Sequence, residues 1–191
     1  MKRLTLSPAQ VLSTDDLRSE ADLTLKIYFQ VFKACGEDCL PPVIVGTIKS
    51  AADWKTRLEE GYARWARREP AMVELRRREY NALFRTLSAT PYYILDGNNR
   101  ALAARLNRRS LRVIHLDTDK DLIGIQQMLT EGELISFPHK AQTIEELEGH
   151  FIQRFLDLNN IPPNHSLIAS QNWTNKKPIP VATRAFDLRS R

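Results

Sequence analysis

The chain has 191 residues, 42% of them hydrophobic and 27% charged, the proportions of a globular protein with one substantial core. A net charge of +5 and a pI near 9.4 tilt it towards polyanionic partners. No apolar run reaches the about 18 residues that cross a bilayer. Ser, Thr and Asp interrupt "MKRLTLSPAQVLSTDDL" where a signal peptide needs an apolar stretch, so a cytoplasmic protein without a transmembrane segment is expected.

In chain order, residues 1–19 read as an entry segment in which "STDD", Ser13 to Asp16, is able to cap a short helix. Between Glu20 and Ala34, the residues Leu23, Ile27, Val31 and Ala34 recur at helical spacing and predict an amphipathic helix that ends at Gly36. Cys35 and Cys39 do not make a disulfide framework in a chain of this length. Their C-x3-C spacing suits a metal, but no histidine is near, and two structural thiols at a helix end is the preferred reading. "PPVIVGTI" then predicts a strand, because proline precedes a strand more readily than it occupies one.

Residues 50–88 read as a helical block. Ala51, Trp54, Leu58 and Trp65 trace one face, and Pro70 separates a second helix with Met72, Leu75, Leu83 and Leu87. The block carries Arg76, Arg77 and Arg78 among nine basic residues, with Trp54, Tyr62, Trp65 and Tyr80 interleaved. Basic and aromatic residues together suit DNA, whose phosphates supply the affinity. Glu59, Glu60, Glu69, Glu74 and Glu79 dilute that charge, and a solvated face fits as well.

"YYIL" predicts a strand, "DGNN" a turn and residues 100–108 a helix; "LRVIHL" is another strand. "DTDKD" caps a helix at 121–131. Its Asp117, Asp119 and Asp121 open like a calcium loop, but Leu122 and Met128 stand where that loop needs Gly and Glu. The four histidines have no ligand spacing, and His115, alternating within a strand, reads as structural. A last amphipathic helix presents Ile144, Leu147, Phe151, Phe155 and Leu158, and residues 161–191 form a basic, Pro- and Asn-rich extended tail.

The candidate chemistry sits at the strand-to-helix turn. Gly97 permits a sharp bend with no Cβ facing a ligand. Asn98, Asn99 and Arg100 form the first turn of the helix, whose free N–H groups attract anions, phosphate above all. Arg100 adds a forked cation, and Asp96 is the candidate metal ligand or general base. The same residues also make an ordinary turn with Arg100 on a solvated face, and spacing alone does not choose between the two.

"ILDGNNRALAA" resembles the signature of the ParB/sulfiredoxin superfamily, a strand running into D-G-x-x-R and a helix of small residues. The match falls on Asp96, Gly97, Arg100 and Ala103, with the Glu20 helix, the "PPVIV" strand and the "LRVIHL" strand in the same order. The resemblance implies an α/β (α+β) fold with a small mixed sheet over residues 1–120. Residues 50–88 would be a helical insertion, and the helices of 121–160 would pack on the sheet domain. It also implies nucleotide phosphates bound at Gly97, Asn98, Asn99 and Arg100, with ATP and Mg2+ as cofactors. Glu20 corresponds to an acid that kinase-like relatives use as a base, although a helix N-terminus favours an acid for its own reasons.

The departures are informative. Asn98 replaces the cysteine that follows the motif glycine in sulfiredoxins, so sulfinic acid reduction lacks its nucleophile. "DTDKDLIGIQQ" matches neither the second phosphate motif nor the helix-turn-helix of chromosome-segregation members. What remains resembles the ATP-hydrolysing and nuclease branches, including small plasmid-encoded proteins that inhibit transfer of competing DNA. The expectation is an ATPase with metal-dependent DNase activity. The alternative is a non-catalytic inhibitor that binds the coupling protein of a conjugation or secretion system at the inner membrane.

Overall fold

Three apolar runs pair side by side at the centre of a mixed sheet. In the computed structural model, which describes residues 1–12, 23–68, 70, 73, 77, 81, 90–134 and 137–157, they are β3 (Val43–Thr47), β4 (Tyr92–Asp96) and β5 (Leu111–Leu116). β3 runs parallel to β5 and antiparallel to β4. Two strands lie in the stretch read as an entry segment. β1 (Lys2–Leu6) pairs antiparallel with β5 at one edge, and β2 (Val11–Leu12) pairs parallel with β4 at the other. The strand order is β1-β5-β3-β4-β2. Both are edge strands: β1 buries only Leu6, and β2 is two residues long, so neither has the continuous apolar run of a central strand.

Alternation along the strands divides the core in two. Val43, Val45, Ile94, Leu111 and Val113 face one side, where α1 (Leu23–Cys35) and α3 (Asn98–Leu106) pack. Ile44, Tyr93, Leu95, Ile114 and Leu116 face the other. There they meet α2 (Ala51–Arg68), α4 (Asp119–Thr130) and α5 (Ile144–Asp157). The described part is therefore a three-layer α/β unit with five helices around a five-stranded mixed sheet.

α2 belongs to this core. Trp54 and Leu58 are almost fully buried, and Trp54 packs against Tyr93 and Phe151 with ring centroids 5.2 and 5.4 Å away. Its indole N–H donates to the Glu148 carboxylate on α5. A helix from the block read as an insertion thus supplies one wall of the sheet's second face. Gly46 has a specific reason here, since a Cβ at that position would overlap the Tyr93 ring.

α1 buries a different stripe from the expected one. Leu23 is 67% and Ile27 51% exposed, and Ala34 faces solvent, whereas Phe32 is 3% exposed. Leu25, Tyr28, Phe29 and Phe32 recur at the same helical spacing and form the packed face. Two apolar stripes compete on this helix, and the one with three aromatic rings removes more surface from water. At its end Cys35 and Cys39, with Cα atoms 6.0 Å apart, are joined as a disulfide rather than standing as two thiols.

Caps fix the helices of the second layer. The Asp121 carboxylate accepts from the N–H groups of Asp117 and Thr118 at 2.9 and 3.0 Å, closing the start of α4. It also pairs with the Met1 ammonium. Asp119 accepts from Ile144 N–H at 2.7 Å, which ties the start of α5 to that of α4. Asp119 and Asp121, two of the three aspartates that open like a calcium loop, are thus helix caps.

Candidate functional site

β4 ends at Asp96, one strand in from the β2 edge of the sheet, between β3 and β2. Gly97 follows in the left-handed region, at φ 105 and ψ 27, and α3 begins at Asn98. The first intrahelical bond runs from Ala101 N–H to the Gly97 carbonyl at 2.9 Å. The N–H groups of residues 98–100 therefore precede the helical ladder. The strand, turn and helix read from "YYILDGNNRALAARL" are all present.

Arg100 does not lie on a solvated face. It is 7% exposed, and its Nη1 donates to the carbonyls of Pro41 and Pro42 at 2.9 and 2.7 Å. Its Nη2 donates to Asp96 Oδ2 at 2.6 Å. A guanidinium has five N–H groups, and these bonds use three of them. Gly97 makes room for this arrangement, because a Cβ there would come within 3.0 Å of Arg100 Nε and Nη2 and of Val43 Cγ2. The space the sequence reading reserved for a ligand beside Gly97 is filled by the arginine.

The group is thus a buttressed turn. Asp96, with a quarter of its side chain exposed, holds one face of the guanidinium, and the carbonyls of the Pro41–Pro42 entry to β3 hold another. Proline has no N–H, and the carbonyls before a strand begins have no ladder partner, so a buried cation completes them. His139 lies beside the same strand end, its ring nitrogen 2.9 Å from the Leu95 carbonyl. The sequence reading named neither the two prolines nor His139 as neighbours of the turn. Only the Pro-Pro pair directly before an apolar run hinted at carbonyls in need of a donor.

The remaining candidates fall elsewhere. Glu20, Arg76 and Arg78 lie outside the described residues; Arg77 is helical and exposed. Among the described residues no three His, Cys, Asp or Glu side chains are grouped to hold a metal, so Asp96 stands as a single carboxylate. Mg2+ bound with a nucleotide draws most of its ligands from phosphate and water, and one carboxylate is compatible with that. His115 bonds Thr47 Oγ1 and packs edge-on to Tyr92, and burial lowers its pKa. Burial thus disfavours its charged form.

No family model, no curated protein and no solved structure matches this chain. The fold and turn define a mixed α/β protein with a glycine-hinged, arginine-braced helix entry at the end of a central strand. No described helix is long and apolar enough to cross a membrane.

Proposed function

We propose that the β4–α3 turn binds the phosphates of a nucleoside triphosphate and that the chain hydrolyses it, as a member of the ParB/sulfiredoxin superfamily. One observation carries this reading: Gly97, in a left-handed conformation, delivers the start of α3 to the end of a central strand. β4 runs antiparallel to β3, so this turn meets the start of β3 at Pro41 and Pro42. The N–H groups of Asn98, Asn99 and Arg100 are the donors for an anion there. The two remaining guanidinium N–H groups of Arg100 add a buried charge behind them. Asp96, at the end of β4, is the carboxylate assigned to a metal held by those phosphates. Mg2+, when bound, supplies charge neutralisation of the triphosphate; the chain's part is to position and orient.

The wider role follows the same resemblance. DNA is a second substrate for a metal-dependent nuclease activity, and the chain is a plasmid-encoded cytoplasmic protein that inhibits transfer of competing DNA. The scaffold alternative, a non-catalytic inhibitor of a conjugation or secretion coupling protein, is favoured by a specific contact. Asp96 and Arg100, the two groups chemistry would need, neutralise each other at 2.6 Å.

Calorimetric titration with ATP and Mg2+, followed by phosphate release with and without DNA, tests both readings. Asp96→Asn is expected to retain nucleotide and slow release. Binding without turnover in the unaltered chain supports the scaffold reading, and no binding at all removes the turn as a phosphate site.

A further inference from the structure

The opposite end of α3 carries a second feature. Arg105 lies in its last turn, and the helix closes through Arg108 N–H to the Arg105 carbonyl at 3.0 Å and Arg109 N–H to the Ala104 carbonyl at 2.9 Å. This closure puts Arg108 at φ 55, and it is the one non-glycine residue with positive φ among the described residues. Glycine is the usual occupant of that position, since any Cβ there costs energy. Arg108, Arg109 and Ser110 are exposed. Asn107 Nδ2 pins the turn by donating to the carbonyls of Phe29 and Ala103 at 3.1 and 2.9 Å.

Three arginines fall within five residues at this turn. Arg3, Lys55, Arg57 and Arg112 each reach a carboxylate. Among the described residues, Arg105, Arg108 and Arg109 have no side-chain hydrogen bond or ion pair. The negative end of the helix dipole accounts for one arginine in the last turn. It does not account for an arginine where glycine belongs, followed by another.

We propose that the Arg105–Arg109 turn is a surface that grips the phosphate backbone of a nucleic acid. The guanidinium forks match phosphate oxygens. Residues 107–110 include no aromatic, and the Asn107 amide donates inward to Phe29 and Ala103, so the contact reads charge and not sequence. A bilayer is disfavoured because Asn107, Arg108, Arg109 and Ser110 offer it nothing apolar to insert. The turn lies about 13 Å from the Gly97 end, the length of α3 at 1.5 Å per residue. DNA binding here and nucleotide binding there can therefore fail separately.

The left-handed position supplies a discriminating experiment. Arg108→Gly and Arg108→Asn both suit that backbone and remove the charge. Both are expected to keep or raise the melting temperature of the full chain and to weaken binding to a fluorescein-labelled random duplex. Each should also flatten the plot of log affinity against log salt by about 0.9, and Arg105→Ala/Arg108→Ala/Arg109→Ala by about 2.7, for every duplex sequence alike. Unchanged affinity and slope in these variants, or no duplex binding by the unaltered chain, overturns the proposal. So does loss of binding to phosphatidylglycerol vesicles with duplex binding intact.

Discussion

Arg100 is nearly buried, yet its charge meets a carboxylate and two carbonyls, so the desolvation of each group is offset by the others. Removing one member leaves the rest unmet. Arg100→Ala is therefore expected to destabilise the fold by about 3 kcal/mol, the cost of breaking a buried pair from one side. Urea unfolding measures it, and a loss below about 1 kcal/mol would mean that the carbonyls and Asp96 find water instead. Gly97→Ala should also destabilise, by about 1–2 kcal/mol, through its left-handed backbone alone, with the guanidinium contacts adding to it. Tyr93 works the other way. Its hydroxyl is buried with no partner among the described residues, and burial first, then the Glu148 charge, pushes the phenol pKa upward. Tyr93→Phe removes a polar atom that gains nothing and is expected to leave stability unchanged or raise it. A loss above about 1 kcal/mol would reveal a hidden water partner.

For single elements, α1 gives the sharpest contrast. The Leu23-Ile27-Val31-Ala34 stripe satisfies the helical period as well as the Leu25-Tyr28-Phe29-Phe32 stripe does. The sheet face beneath decides between them, and a local pattern carries no information about what lies beneath it. Phe32→Ala is expected to cost about 3–5 kcal/mol, and Ile27→Ala about 0.5 kcal/mol or less, read from the shift in denaturation midpoint at constant slope. The reverse order would restore the other face as the packed one. The edge strands β1 and β2 have a related cause. A strand of five residues with one buried position, or of two residues, is specified by its neighbour in the sheet and not by its own hydrophobicity.

For the whole molecule, pH links the N-terminus, β5 and the start of α4. Burial acts to raise the Asp121 pKa, but the Met1 ammonium and the N–H groups of Asp117 and Thr118 outweigh it and hold the value at about 2. A depressed carboxyl stabilises the fold above its ordinary pKa and loses that contribution as pH falls through the folded value. About 2 kcal/mol should therefore disappear between roughly pH 4 and pH 2. Asp121→Asn should be less stable at neutral pH and lack that acid limb; an identical pH profile would remove Asp121 as its cause. His115 adds a second, milder slope. Burial lowers its pKa, with Lys2 acting the same way and Asp117 opposing. Its contribution is complete above about pH 6.5 and declines as pH falls below that.

Much of this molecule was determined by the sequence alone. The three central strands, the turn at Asp96 and Gly97, and the helices after it follow from apolar runs, glycine and capping residues, all of which act over a few neighbours. The inward positions Ala51, Trp54 and Leu58 of α2 and Ile144, Leu147 and Phe151 of α5 follow too, because they recur at helical spacing. Tertiary structure alone decided the pairing of β1 and β2, the face of α1 that packs, and the inward turn of Arg100. That last outcome depends on the carbonyls of Pro41 and Pro42, 59 and 58 residues away in the chain. A guanidinium on an isolated helix end is equally suited to solvent, phosphate or carbonyl, and only the fold brings two unpaired carbonyls and a carboxylate within its reach.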